Sequence, residues 1–382
     1  MTPNWKSIRI GDITSWSSGA TPSKQNQNYW NGQIPWISAS SMKERIITSS
    51  QEMLTEEGLN NGGKSCKQND VLLLVRGSEL HKRIPIGIAS HSFAFNQDVK
   101  AIRTKSEELD QLFLYYLFKG NELLLLNLVE FTGIGAGKLD IPLLQNINFL
   151  LPSLDEQKRI SSFVNQIDEK IELNRKTNET LEGIAKALFK SWFIDFDPVS
   201  AKVEGCSTGL SNEISELFPD SFEDSELGEI PNGWNIYPLN EICSYLSRGI
   251  SPKYCDEKEG VPVINQKCIR NGTIDFSKAR SHNHSIKKID GREISRFDCL
   301  INSTGVGTLG RVAMTPNIEG QRVIVDSHIT VVRGQSADQT FYLTMLLLLK
   351  QGEIERLGEG STGQTELSRK ILGEMKILLP SD

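Results

Sequence analysis

Hydrophobic and polar positions along this chain of 382 residues fall into runs of two lengths. Short apolar runs such as Asp70 to Val75, Val99 to Ile102, Cys299 to Asn302 and Ile329 to Val332 are bounded by Gly, Pro, Asn and Ser, and predict strands. Longer apolar stretches, Leu109 to Val129 and Thr340 to Leu357, predict helices. After Pro152 the pattern changes. Ser153-Leu-Asp-Glu156 is a capping box, in which the Ser side chain and the Glu three residues on satisfy free amides reciprocally. Ile160, Val164, Ile167, Ile171, Asn174, Asn178, Leu181, Ala185, Leu188 and Trp192 then alternate spacings of four and three, a coiled-coil seam. No proline interrupts residues 153 to 197, so about 40 residues of helix would extend roughly 60 Å. A buried core helix is the plainer alternative, but the length favours a rod that meets a partner. Asn174 and Asn178 would then fix register against the partner's polar groups.

The same order of runs occurs twice. Trp5 and Trp234 are 229 apart, as are Ile13 and Ile242; Gly19-Ala-Thr-Pro22 answers Gly249-Ile-Ser-Pro252 at 230. Ile34-Pro-Trp-Ile37 answers Val261-Pro-Val-Ile264 at 227, and Asp70-Val-Leu-Leu answers Asp298-Cys-Leu-Ile at 228. Val99 to Arg103 answers Ile329 to Arg333 at 230, and Leu150-Leu-Pro-Ser153 answers Leu378-Leu-Pro-Ser381 at 228. Only Ile86-Gly87 and Leu309-Gly310 drift, to 223, as a loop insertion or deletion would produce. A period this long is a domain duplication and not a solenoid. Each copy reads as mixed α/β (α+β), closing with a Gly-rich turn, a short helix and a strand.

Composition supports folded cores, with 38% apolar and 24% charged residues. The net charge of −6 argues against a phosphate-bearing partner only until the charges are located. Residues 195 to 227 hold nine acids against Lys202 alone, which leaves +2 for the rest. Copy one (1–151) and copy two (228–382) are each +1, so tight binding to nucleic acid depends on local patches. Cysteines 66, 206, 243, 255, 268 and 299 form no close-set framework, and Met1-Thr-Pro-Asn-Trp5 lacks the regions of a signal peptide. Reduced thiols in a cytoplasmic protein are expected. The longest apolar run, Met345 to Leu349, falls far below the roughly 20 residues a membrane helix needs, so no membrane partner is expected.

Several motifs fail. Thr132-Gly-Ile-Gly-Ala-Gly-Lys138-Leu139 departs from a phosphate loop at its first and last positions, and Gly360 to Leu367 in copy two also lacks the Lys. Both keep a Gly-rich entry to a helix that could offer amides to a phosphate oxygen. Cys255, Cys268, His282 and His284 have no paired spacing and no counterpart in copy one; they read as buried free thiols and surface histidines. No serine nucleophile elbow, dinucleotide loop or Asn/Asp-Pro-Pro-aromatic amino-methylating motif occurs, and Asp197-Pro198-Val199 stops short of the last. No catalytic residue and no metal ligand is assigned. Basic residues concentrate from Lys278 to Arg296, where Lys278, Arg280, Lys287, Lys288, Arg292 and Arg296 face Asp290 and Glu293. A solvated basic face is the alternative to a DNA-facing loop. The sparser copy-one counterparts are Lys64, Lys67, Arg76, Lys82 and Arg83, and Arg311 joins the copy-two set. Nearby Asn265, Gln266 and Arg270 carry the side chains that read base edges in a major groove.

Four segments resemble one family. Leu151-Pro-Ser-Leu-Asp-Glu-Gln-Lys-Arg-Ile160, Ile167-Asp-Glu-Lys-Ile-Glu-Leu-Asn-Arg-Lys176 and Ala187-Leu-Phe-Lys-Ser-Trp-Phe-Ile-Asp-Phe-Asp-Pro198 are similar to the central conserved region of type I restriction-modification specificity (S) subunits. Leu217 to Trp234 resembles that family's lead-in to its second recognition domain. The resemblance implies a non-catalytic subunit with two target-recognition domains, each reading half of a split double-stranded DNA sequence. The expected division is domain one at 1–151, a central long helix at 152–197, an acidic linker at 198–227 and domain two at 228–382.

The resemblance also implies partners. Modification (M) subunits that bind S-adenosylmethionine would dock on the helix, through Ile160, Val164, Ile167, Ile171, Asn174, Asn178, Leu181, Leu188 and Trp192. A restriction (R) subunit would add ATP- and Mg2+-dependent translocation and cleavage. This chain itself is expected to bind no cofactor. Half-sites about one DNA turn, or 34 Å, apart would lie within reach of the rod. The family's second conserved helix, after domain two, has no counterpart before Asp382, so the expected partner of the seam is an M subunit or another S chain. The alternative expectation is a truncated standalone DNA-binding or scaffold protein.

Overall fold

The computed structural model describes residues 5–131, 135–255, 260–318, 320–358 and 366–381. The chain forms two compact units, 1–176 and 177–382, with the boundary inside the long helix. In the first unit the predicted strands pair in a sheet ordered Thr14–Ser18, Val99–Thr104, Val71–Leu74, Ile86–Ala89, Ile46–Ile47. Val71 to Leu74 is buried at every position, which explains why this strand reads as continuous apolar residues and not as an alternation. The second unit repeats the order with Cys243–Arg248, Ile329–Gly334, Cys299–Asn302 and Val312–Met314.

The register of these strands corrects one pairing. Leu72 lies opposite Gly87, and Leu300 opposite Ala313. The counterpart of Ile86-Gly87 is therefore Val312-Ala313 and not Leu309-Gly310, an offset of 226 that joins the others. A local Gly match had misled the reading. Each copy is closed by its own terminal strands: Lys6–Arg9 pairs with Asn148–Leu151, and Asn235–Pro238 with Lys376–Leu379.

One glycine pair shows how closely the backbone repeats. Ala20 N donates to Phe95 O at 2.9 Å and Ile250 N to Val325 O at 3.1 Å. A Cβ on Gly19 would overlap the carbonyls of Phe95 and Asn96, and one on Gly249 those of Val325 and Asp326. Only glycine permits these close approaches.

The two long apolar helices are each broken once. Gln111–Gly120 and Glu122–Leu126 meet at Asn121, and Ala337–Leu349 and Gln351–Arg356 meet at Lys350. Asn121 has φ −106° and ψ 22°, and its Nδ2 donates to Leu117 O at 2.8 Å, turning the chain so that Leu125 reaches the core. Apolar periodicity alone carries straight across such a turn.

The predicted rod is one helix, Leu154–Phe193. Ser153 Oγ accepts from Glu156 N at 3.3 Å, as the capping box requires. Beyond Phe193 the left-handed Phe196 (φ 57°) and Pro198 end it. The stretch expected as an acidic linker is folded: Asp197–Val203 and Asn212–Ser215 are helical, and Phe222–Ser225 pairs with Gly228–Pro231. Val199, Phe218 and Trp234 form its core against Trp192, Phe193 and Phe196 at the end of the long helix. Its acids lie outside that core, so acidity marks a charged surface here and not an unfolded segment.

Candidate nucleic-acid interface

In the second unit the Lys278–Arg296 segment is folded down by a histidine. His282 is fully buried, not on the surface as expected. Its Nδ1 accepts from Lys253 N at 2.9 Å and its Nε2 donates to Lys287 O at 2.8 Å, so the ring bridges two loops as a neutral tautomer. With both nitrogens used this way, it is no metal ligand, and no group of three or more metal-ligating side chains occurs among the described residues. His284 is exposed.

The cations of this segment divide by their contacts. Lys278 pairs with Asp275 at 2.6 Å, and with Ser277 it pulls the Asp275 carboxyl down to about 2. Arg280 lies 3.4 Å from the centre of the Tyr254 ring. Lys287 Nζ donates to Ser251 O at 2.9 Å, and Arg292 Nη1 to Tyr245 OH at 3.3 Å. Asp290 and Glu293 are held by Arg322, which holds the Glu293 carboxyl below its ordinary range. Arg322, absent from the sequence candidates, thus takes up both acids of the patch. Lys288 and Arg270 are exposed.

The base-reading candidates fare differently. Asn265 Nδ2 donates to Lys278 O at 3.1 Å and its Oδ1 accepts from Lys267 N at 2.9 Å, so its side chain is spent on a turn. Gln266 turns its Oε1 inward, where it has no hydrogen-bond partner. Arg311 Nη2 donates to Gly307 O at 2.7 Å. In the first unit Lys64, Lys67, Arg76 and Lys82 are exposed, whereas Arg83 pairs with Glu79 at 3.3 Å. The amide contacts suggested for the Gly-rich stretches fall on residues 132–134 and 360–365, outside the described residues.

The helix seam is used at its ends and open in the middle. Ile160 packs on the first unit's core, Val164 is half-buried, and Trp192 joins the aromatic cluster of the second unit. Ile167, Ile171, Leu181 and Leu188 are 45–60% exposed, and Asn174 and Asn178 are exposed beside them.

Polar residues absent from the seam hold the helix start to the first unit. Gln157 is fully buried, accepting from Asp110 N at 3.0 Å and donating to Glu108 O at 2.8 Å. Arg45 Nη1 donates to Asn165 Oδ1 at 2.7 Å, and Tyr116 OH to Asp168 Oδ2 at 2.9 Å. Burial and the Asp168 carboxylate both raise the Tyr116 hydroxyl. Asp168 had read as one charge on a solvated face.

All six cysteines are unpaired. Burial pushes Cys66 up to about 11 and Cys243 to about 12, while Cys206 is exposed. No helix among the described residues is long and apolar enough to cross a membrane.

A duplicated mixed α/β frame, with basic surface on each copy and a helix that starts in one and ends in the other, defines a two-domain recognition protein without a recognisable reaction centre. Residues 3–183 and 231–382 match the model of the type I restriction modification DNA specificity domain, and the chain belongs to that family. It is 30% identical over 283 residues to the type I restriction enzyme MjaIX specificity subunit of Methanocaldococcus jannaschii, covering 70% of this chain and 59% of that protein. Against the EcoR124I/EcoR124II specificity subunit of Escherichia coli it is 30% identical over 186 residues, covering 48% and 44%. The fold is similar to that of the type I restriction-modification S subunit from M. genitalium, with a TM-score of 0.54, 16% identity, and coverage of 99% of this chain and 85% of that one. The chain thus spans about three fifths or less of the curated relatives it matches.

Proposed function

We propose that this chain is the DNA-specificity subunit of a type I restriction-modification complex, acting without catalytic residues of its own. Each unit reads one half of a bipartite duplex target. The open middle of the helix, from Ile167 to Leu188, docks modification subunits. S-adenosylmethionine, ATP and Mg2+ act in the modification and restriction subunits, and the complex works in the cytoplasm. One observation carries this reading: a single frame is built twice, with the same register and different surface side chains, as two readers of different half-targets require.

The test is selection from a randomised duplex library by the full chain, alone and with the subunits that co-purify from its host. Two enriched blocks at a fixed spacing, with affinity raised by the co-purifying subunits, are expected. One block, or none, overturns the proposal. Sequence-specific binding that is unchanged by those subunits points instead to a standalone reader.

A further inference from the structure

Both units build the same rim from backbone hydrogen bonds. In the first, Val75 N donates to Asp98 O at 2.8 Å and Leu139 N to Val75 O at 2.8 Å. In the second, Ser303 N donates to His328 O at 2.8 Å and Leu367 N to Ser303 O at 2.8 Å. Next along the chain, Arg76 lies opposite Lys138, and Thr304 opposite Glu366. Gly77 (φ 150°) and Gly305 (φ 107°) follow, each in the region that glycine favours. The frame repeats bond for bond.

The side chains on that frame do not repeat. Arg76 is exposed and Lys138 half-buried, and neither reaches a carboxylate within ion-pair distance among the described residues. Glu130, across from Lys138 on the next strand, is the nearest acid in register. Lys100 stands behind them, its Nζ bonded to Ser18 Oγ at 2.7 Å, and burial together with Arg76 and Lys64 lowers its affinity for a proton. In the second unit Arg248 takes the place of Ser18 and pairs with Glu366 at 2.6 Å, while Thr304 Oγ1 and His328 Nδ1 share a hydrogen bond of 2.7 Å. One rim is cationic; the other is nearly neutral and rich in acceptors.

A contact to phosphate carries no sequence information, so it gives duplicated readers no reason to diverge. A contact to base edges does. Paired strands also suit the task, because a two-stranded ribbon enters a major groove and holds its side chains more rigidly than a loop. Arg and Lys favour the O6 and N7 acceptors of guanine, whereas Glu and Thr accept from amino groups.

We infer that these paired rims set base preference, and that Arg76 and Lys138 make the first unit select guanine. The inference rests on the DNA-reading proposal and narrows it to named positions. It is tested by repeating the library selection with Arg76→Ala, Arg76→Lys and Lys138→Ala. The expected result is loss of guanine preference at one or two positions of one block, by about 5- to 150-fold, with the other block unchanged. Arg76→Lys keeps the charge and the salt dependence but loses the two-pronged fit, so it too relaxes the block. Thr304→Arg with Glu366→Lys is expected to alter the other block instead. Variants that keep the wild-type motif, bind all sequences more weakly and lower the salt slope by about 1 would assign these residues to phosphate and overturn the inference. Failure of the wild-type chain to enrich any motif would overturn the DNA-reading proposal itself.

Discussion

Asp298 is the least exposed carboxylate in an ion pair, and its removal tests the energetics of the second unit. Its side chain is 0% exposed and that of Arg333 is 29% exposed. Arg333 reaches it through Nε at 2.7 Å and Nη2 at 2.6 Å, and Ser295 N donates to it at 2.7 Å. Removing one member of a buried pair costs about 3–5 kcal/mol, because the other charge stays desolvated. Arg333 regains some water, which places Asp298→Ala near the lower limit, about 3 kcal/mol. The counterpart, Asp70→Ala, costs less, about 2 kcal/mol: Arg103 is 35% exposed and meets Asp70 through Nη2 alone. Hydrogen exchange resolved by peptide reads the two units separately. Amides of Cys299–Asn302 and Ile329–Gly334 should lose about 100-fold of their protection in Asp298→Ala. A loss below about fivefold, or a larger one in Asp70→Ala, would refute this reasoning.

Three further predictions follow from the same geometry. Burial raises the Asp326 carboxyl above its ordinary value, so the native state keeps a proton that the unfolded chain has released. Stability should therefore fall as pH rises from about 4 toward the native value, and Asp326→Asn should flatten that fall in urea unfolding followed against pH. A fall that persists in the variant would assign it elsewhere. Replacing Arg280, Lys287 and Lys288 together by Ala should weaken DNA binding and reduce the slope of log affinity on log salt by up to about 0.9 per lost phosphate contact; an unchanged slope turns this loop away from DNA. Alkylation at neutral pH, read by mass spectrometry, should label exposed Cys206 well before buried Cys66, Cys268 and Cys299; equal rates would contradict the burial.

The duplication and the rod were legible because both are long-range regularities of the sequence. Seven matched segments, and a seam from Ile160 to Trp192, do not depend on knowing which residues touch. What escaped were contacts whose partners lie far apart in the chain. Gln157 and Asp168 carry side chains typical of a solvated helix face, yet Asp110, Arg45 and Tyr116 bury or bind that face. His282 looks like any histidine in a basic loop until Lys253 and Lys287 are brought to its two nitrogens. The rim required register between strands more than 60 residues apart, and without it Arg76 was one basic residue among several and Lys138 part of a failed phosphate loop. Asn265 shows the opposite error, a base-reading side chain by type that its own turn consumes.

The central claim, that this chain directs a modification complex to a split DNA target, is tested most directly by sequencing the host's methylated DNA with the gene intact and deleted. The account predicts methylated adenines within one bipartite motif that disappear on deletion and return on complementation. A methylation pattern that does not change when the gene is removed would contradict it.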